Sequence, residues 1–257
     1  MPRGISRYDE AAFQGRLWTP KDSGVSIALW LDASDLSTIS YGTSGISEWR
    51  DKSGNNRHAT QATDANRPTL TAIGLNSRPV ISFDGSNDSF DFTGSHGQEW
   101  SAFIVGRANG TQQVFYQFGG INIAGNLQID TGVGGYAARA GTVGGGSLGL
   151  APCTLGENVL LSCDYSNSGS YVNLYKNGTL GTPGSGTAPA ASALASTIGQ
   201  FGSIWYLNGF IAEFIVIDSI NSAIRQKAEG YLAWKWGLQN NLISSHAFIN
   251  RPPTTGD

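Results

Sequence analysis

The stretch GFIAEFIVID, Gly209–Asp218, is the most telling in the chain, with seven apolar side chains around one charge, Glu213. At strand period, Phe210, Ala212, Phe214 and Val216 fall on one face, and Ile211, Glu213, Ile215 and Ile217 on the other. Such a segment is a strand buried on most of both faces. The next segment changes period. Asn221 is a good N-cap, Ile224, Ala228, Tyr231, Leu232 and the stem of Lys235 share one face, and Gly237 is placed to close the last turn, which predicts a helix over 221–237. Its second half, EGYLAWKWGL, is laden with aromatics. An amphipathic helix must lie against something apolar, and the surface on offer here is a sheet.

Upstream, the chain reads as short strands bounded by Gly, Asn, Asp and Pro: SIALWLDA, EWRDKSGNNRHATQ, RPVISFDG, WSAFIVGRA, QQVFYQFGG, NVLLSCDY and SYVNLYKNGTL. In the last of these, Asn177-Gly178 after an alternating run is a strong hairpin signal. The stretch 119–156 is dominated by glycine, but Ile121, Ile123, Leu127, Ile129 and Tyr136 recur through it, so short strands between flexible turns fit better than a linker. GTPGSGTAPAASA, 181–193, reads as a loop. With 257 residues, 35 glycines and no repeat of 20 to 50 residues, the expectation is one all-β, two-layer antiparallel sandwich with a single helix packed on it. The domain spans 25–257.

Residues 1–24 show no sustained periodicity and read as an arm. Tyr8, Phe13, Leu17 and Trp18 are costly to leave in water, so the arm either docks on a partner or folds back on its own domain. Charged residues make up only 14% of the chain and the net charge is −3, which leaves a neutral polar surface and no basic stripe for nucleic acid. Neither a charged-then-apolar leader nor a membrane-spanning apolar run is legible. Cys163 falls on the apolar face of NVLLSCDY and reads as a small core residue; a disulfide to Cys153 is left open.

The segments ALWLDASDLST (28–38), WRDKSGNNRHATQ (49–61), RPVISFDGSNDSF (78–90), YVNLYKNG (171–178), GFIAEFIVID, and EGYLAWKWGL followed by NLISSHAFINRPP together resemble the laminin-G-like jelly-roll domains of the concanavalin A-like lectin and glucanase superfamily, in the form found in bacterial surface and bacteriophage virion proteins. The chain departs from that pattern at Ile224, Ile243 and Ala247, where similar sequences often carry Glu at the third helical position and Pro in the tail. The resemblance implies a jelly-roll β-sandwich with a C-terminal helix. It also implies a virion structural role, as capsid decoration or a tail or fibre component, with other virion proteins and copies of itself as partners. A carbohydrate-binding module for host attachment is the alternative, and a glycoside hydrolase the third reading.

Catalysis is not expected. Glycoside hydrolysis needs two carboxyl groups facing one groove, and no Glu-x-Asp-x-Glu-like run is present. Glu213 reads as a satisfied buried carboxylate or the partner of an Arg. Gly145-x-Ser147-x-Gly149 lacks the strand and helix that a nucleophile elbow requires. His58, His96 and His246 have no ligand spacing. Glycan binding needs exposed aromatics flanked by amides and carboxylates, for which Trp205, Tyr206, and Trp100 near His96 are candidates. Asp84, Asn87, Asp88 and Asp91 in DGSNDSFD offer oxygen ligands for calcium, though a β-turn selects the same residues.

Overall fold

The computed structural model describes residues 15–119, 125–130, 135–139, 148–186 and 191–257. Two antiparallel sheets, each of nine strands among the described residues, stack face to face, and the helix Ser222–Trp236 covers the outer side of one of them.

The helix-bearing sheet is centred on Asn208–Ile217. Glu99–Ala108 pairs along one edge of that strand, while Arg78–Asp84 and then Ile27–Asp32 share the other. Beyond Glu99–Ala108 come Val159–Ser166 and the hairpin of Tyr171–Lys176 with Thr179–Leu180. That hairpin turns at Asn177 (φ 51°) and Gly178 (φ 79°), the doubly left-handed turn that Asn-Gly is suited to. The facing sheet runs from Leu148–Pro152 through Gly135–Arg139, Gly125–Asp130, Gln113–Phe118, Ala191–Ile198, Phe90–His96, Ala59–Thr60 and Ile46–Trp49 to Ile39–Tyr41.

Two apolar cores result. Between the sheets lie Leu29, Trp49, Phe90, Trp100, Phe118 and Phe214 with their neighbours; between sheet and helix lie Trp30, Phe103, Val105, Ile215, Leu232 and Trp236. The central strand feeds both, and a bulge decides how. Ile211 pairs with Gly106 and Glu213 with Val105, so Ala212 is an extra residue and the alternation slips by one. Phe210, Ala212, Ile215 and Ile217 therefore face the helix, and Ile211, Phe214 and Val216 face the other sheet. The simple alternation expected from sequence fails at this point.

The helix begins where expected: Asn221 Oδ1 accepts from the amides of Ala223 (2.9 Å) and Ile224 (3.2 Å), and Gly237 closes it at φ 72°. With Ile224 in place of a reciprocal glutamate, Asn221 alone supplies the side-chain cap. The described part of the arm is packed against its own domain. Trp18 is 2% exposed, its amide bonds to Pro253 O, its ring meets Tyr231 edge-on at 6.2 Å, and Leu17 bridges Thr254. Trp18 is thus corrected from a docking residue to a core residue. Leu17 remains exposed. Tyr8 and Phe13 lie outside the described residues, as do Ile121, Ile123, Gly145 and Ser147.

Other readings need revision too. EWRDKSGNNRHATQ is strand only at its ends, because Asp51 turns the middle into a loop by accepting the amides of Trp30, Ser53 and Arg57. The apparent loop 181–193 contains the strand Gly184–Ser185 and the start of Ala191–Ile198. Cys153 and Cys163 are both free thiols, and burial pushes the Cys163 thiol up to about 12. No helix among the described residues is long and apolar enough to cross a membrane.

Candidate functional site

Glu213, the acid that a hydrolase reading would use, is sealed in the core with no exposure. Its Oε1 accepts from Trp30 Nε1 (2.8 Å) and Tyr231 OH (2.9 Å), and its Oε2 from Trp236 Nε1 (2.7 Å) and Lys235 Nζ (2.7 Å). Lys235 also reaches Asp32 at 2.8 Å, and Lys52 ties Asp32 to Asp35. Burial raises the Glu213 carboxyl above its ordinary value against the pull of Lys235; at Asp32, burial acts the same way but is outweighed by Lys235, and the net shift is downward. The partner is a lysine, not an arginine. A second buried cluster joins Glu229 to Arg225 (2.9 Å) and His246 (3.1 Å). These carboxylates fasten the helix.

The aromatic candidates separate. Trp100 is fully buried, stacked between His96 (ring centroids 4.1 Å apart) and Tyr165 (4.0 Å), so Trp100 and His96 are corrected from glycan platform to inter-sheet core. The physical reason is register: Phe90, Phe92 and His96 alternate inward along one strand, and Trp100 points into the same core from the other sheet. Trp205 and Tyr206 are half-buried on a two-stranded ribbon, where Trp205 stacks on Phe201 at 5.3 Å.

Three of the calcium candidates belong to a turn, and Asp91 lies on the strand Phe90–His96 that follows it. Asp84 Oδ1 accepts the amides of Ser86 (2.8 Å), Asn87 (3.2 Å) and Asp88 (3.4 Å), while Asp88 Oδ2 accepts the amide of Asp84 (3.0 Å). Burial and then the neighbouring Asp84 charge push Asp88 up to about 6. No group of three or more His, Cys, Asp or Glu side chains able to hold a metal occurs among the described residues.

What opens to solvent is a cleft of about 520 Å³ on the outer face of the facing sheet. Its floor is a row across four adjacent strands: Thr60 pairs with Asp91, Asp91 with Thr197, and Thr197 with Gln117. At ordinary interstrand spacing the row is ~14 Å long. The same alternation that turns Phe90 and Phe92 into the core turns Asp91 and Thr93 outward. His58 stands at one side, and Gln200 and Ser203, from the ribbon that carries Trp205, at the other. His58 Nδ1 accepts the Asp51 amide (3.1 Å), which leaves the ring hydrogen on Nε2. Asp91 accepts no hydrogen bond from a described residue, and burial raises its carboxyl above the ordinary value.

Sequence reasoning misses this row, because DGSNDSFD reads as a turn and hides the strand that begins at Phe90 within it. A further cleft of about 360 Å³ lies where Leu17, Trp18, Trp234 and Pro253 meet, beside the arm.

No protein-family model matches the chain, and no curated protein does. Solved structures do. Domain 4 of AbnA, an extracellular arabinanase from Geobacillus stearothermophilus solved in complex with arabinotriose, is 13% identical with a TM-score of 0.56, over 76% of this chain and 93% of that one. The receptor-binding domain of botulinum neurotoxin type G is 11% identical with a TM-score of 0.56, over 79% and 51%. The Trypanosoma rangeli sialidase is 11% identical with a TM-score of 0.54, over 82% and 33%. The chain thus spans about half the length of that toxin domain and a third of that sialidase. At these identities the likeness is one of fold, an antiparallel β-sandwich.

Proposed function

We propose that this chain is a carbohydrate-binding module that holds an oligosaccharide across the outer face of the facing sheet, without turnover. The observation that carries the proposal is the cleft itself: a ~14 Å row in which Thr60 and Asp91 are exposed, Thr197 half-buried and Gln117 buried at its end, with one carboxylate free to accept hydroxyl hydrogens. Among the similar folds, the arabinanase domain is described with a bound trisaccharide, which supports the reading. The core position of Glu213 supports binding over hydrolysis. The test is a glycan array followed by calorimetric titration of the hits. Saturable binding that drops at least about tenfold in Asp91→Ala is expected; no saturation at millimolar sugar refutes it.

A mount on a bacteriophage virion is a compatible second reading, supported by the sequence resemblance and the low surface charge, with Leu17 still exposed beside the buried Trp18. Deleting residues 1–14, and not 1–24, tests it, because Trp18 belongs to the core. The shortened chain should stay folded and lose particle association; unchanged association counts against the mount.

A further inference from the structure

We infer that the cleft selects neutral or amino sugars and rejects carboxylated, sulfated and phosphorylated ones; the inference rests on the binding reading above and names its ligand class. Charge is unevenly supplied along the row. The Thr197 hydroxyl donates to Gln200 O (2.6 Å) and one Gln117 N–H to Gly119 O (2.9 Å), while Thr60, Thr93, Ser203 and the His58 Nε2–H keep donors on the cleft wall. Hydroxyl, amide and imidazole groups can thus serve a sugar in either sense, and the carboxylate on the row, Asp91, sets its charge preference.

Asp91 sits in the middle of the row, between Thr60 and Thr197, with no cation beside it. No Lys or Arg lines the cleft among the described residues. The arginine nearest in sequence to Thr60, Arg57, is committed to the carbonyls of Ala28 (2.6 Å) and Ser95 (3.1 Å). A sugar hydroxyl can donate to this surface, and a sugar ammonium can donate and neutralise Asp91 as well. A uronate, sulfate or phosphate brings a second negative charge beside the Asp91 carboxylate, which no Lys or Arg of the cleft offsets. The cross-strand length of the row further favours a chain of several sugar units over a monosaccharide.

The test is calorimetric titration of the full chain with matched trisaccharides: galactotriose against trigalacturonate, and chitotriose against its deacetylated, ammonium-bearing counterpart. Wild type should bind galactotriose at least about tenfold more tightly than trigalacturonate, and the deacetylated trimer at least as tightly as chitotriose. Asp91→Asn should shrink the first ratio several-fold and remove any preference for the ammonium sugar, while melting like wild type because the side chain is exposed. Trigalacturonate bound as well as galactotriose, or ratios unmoved by Asp91→Asn, overturns the ligand class but leaves the binding module standing. Silence from all four sugars, with binding to no array glycan, removes both.

Discussion

Replacing Glu213 by Gln tests how the helix is held. The carboxylate accepts from two indoles, a phenol and an ammonium, all within 2.9 Å, in a site with no solvent. The amide keeps one oxygen for these donors and turns its own N–H groups toward the rest, so at least two partners lose their acceptor. Hydrogen bonds to a charged group contribute about 1.5 to 3 kcal/mol each, and breaking a buried pair by removing one partner costs about 3 to 5. Relief of the burial penalty on the ionised acid, visible in its raised pKa, and the survival of the Lys235 contact to Asp32 place the net at the lower end. The expected loss is about 3 kcal/mol, or a melting point lower by about 6 to 12 °C for a chain of this size. Urea unfolding read by tryptophan emission measures it directly. A loss below about 1 kcal/mol at an unchanged denaturant slope would mean that the apolar contacts of Leu232 and Trp236 hold the helix alone, and the role assigned to the Glu213 cluster would be wrong.

Two further perturbations test the turn and the core. Asp88 is held at about 6 in the fold against 3.8 ordinarily, so between those values the folded state binds the extra proton, and stability falls as pH rises through that window. Asp88→Asn, which keeps an oxygen for the Asp84 amide, should stabilise the protein by about 1 kcal/mol near pH 8 and by almost nothing near pH 4; equal effects at both would refute the burial argument. Trp100→Ala should cost about 3 to 5 kcal/mol by emptying a stacked core site, while Trp205→Ala on its half-buried ribbon should cost clearly less, and thermal melts giving equal losses would contradict the placement of the two rings.

Much of the sandwich was legible in the residues, for definite reasons. The strands with strong alternation or continuous apolar runs, such as Val159–Ser166 and Asn208–Ile217, announce themselves because burial on one or both faces leaves few polar positions. The helix was legible from its two caps. Illegible were the features that depend on tertiary context. The bulge at Ala212 leaves no local mark, since Ala and Glu fit either face until the partner strand sets the register. Glu229 looks like an ordinary surface residue of a helix and is fully buried, because Arg225 and His246 converge on it from a turn away and from the tail. Trp205 has the apolar neighbours Ile204 and Tyr206 and Trp100 the polar neighbours Glu99 and Ser101, yet topology sends the first to a half-buried ribbon and the second to the core. The cleft was missed for the same reason. Thr60, Asp91, Thr197 and Gln117 are far apart in sequence and become a row only when four strands are laid side by side.

The bridge between Leu17 and Thr254 sets how the molecule can be presented. The described beginning of the chain and its last residues emerge together on the helix side, whereas the row around Asp91 looks out from the opposite sheet. Stacked sheets stand ~10 Å apart, so the cleft and the Leu17–Thr254 bridge lie on opposite outer faces, at least that far from one another. Were the cleft to hold an oligosaccharide, as proposed above, the ligand would reach it from the side away from that bridge, and whatever sits against Trp18 and Pro253 would leave it clear.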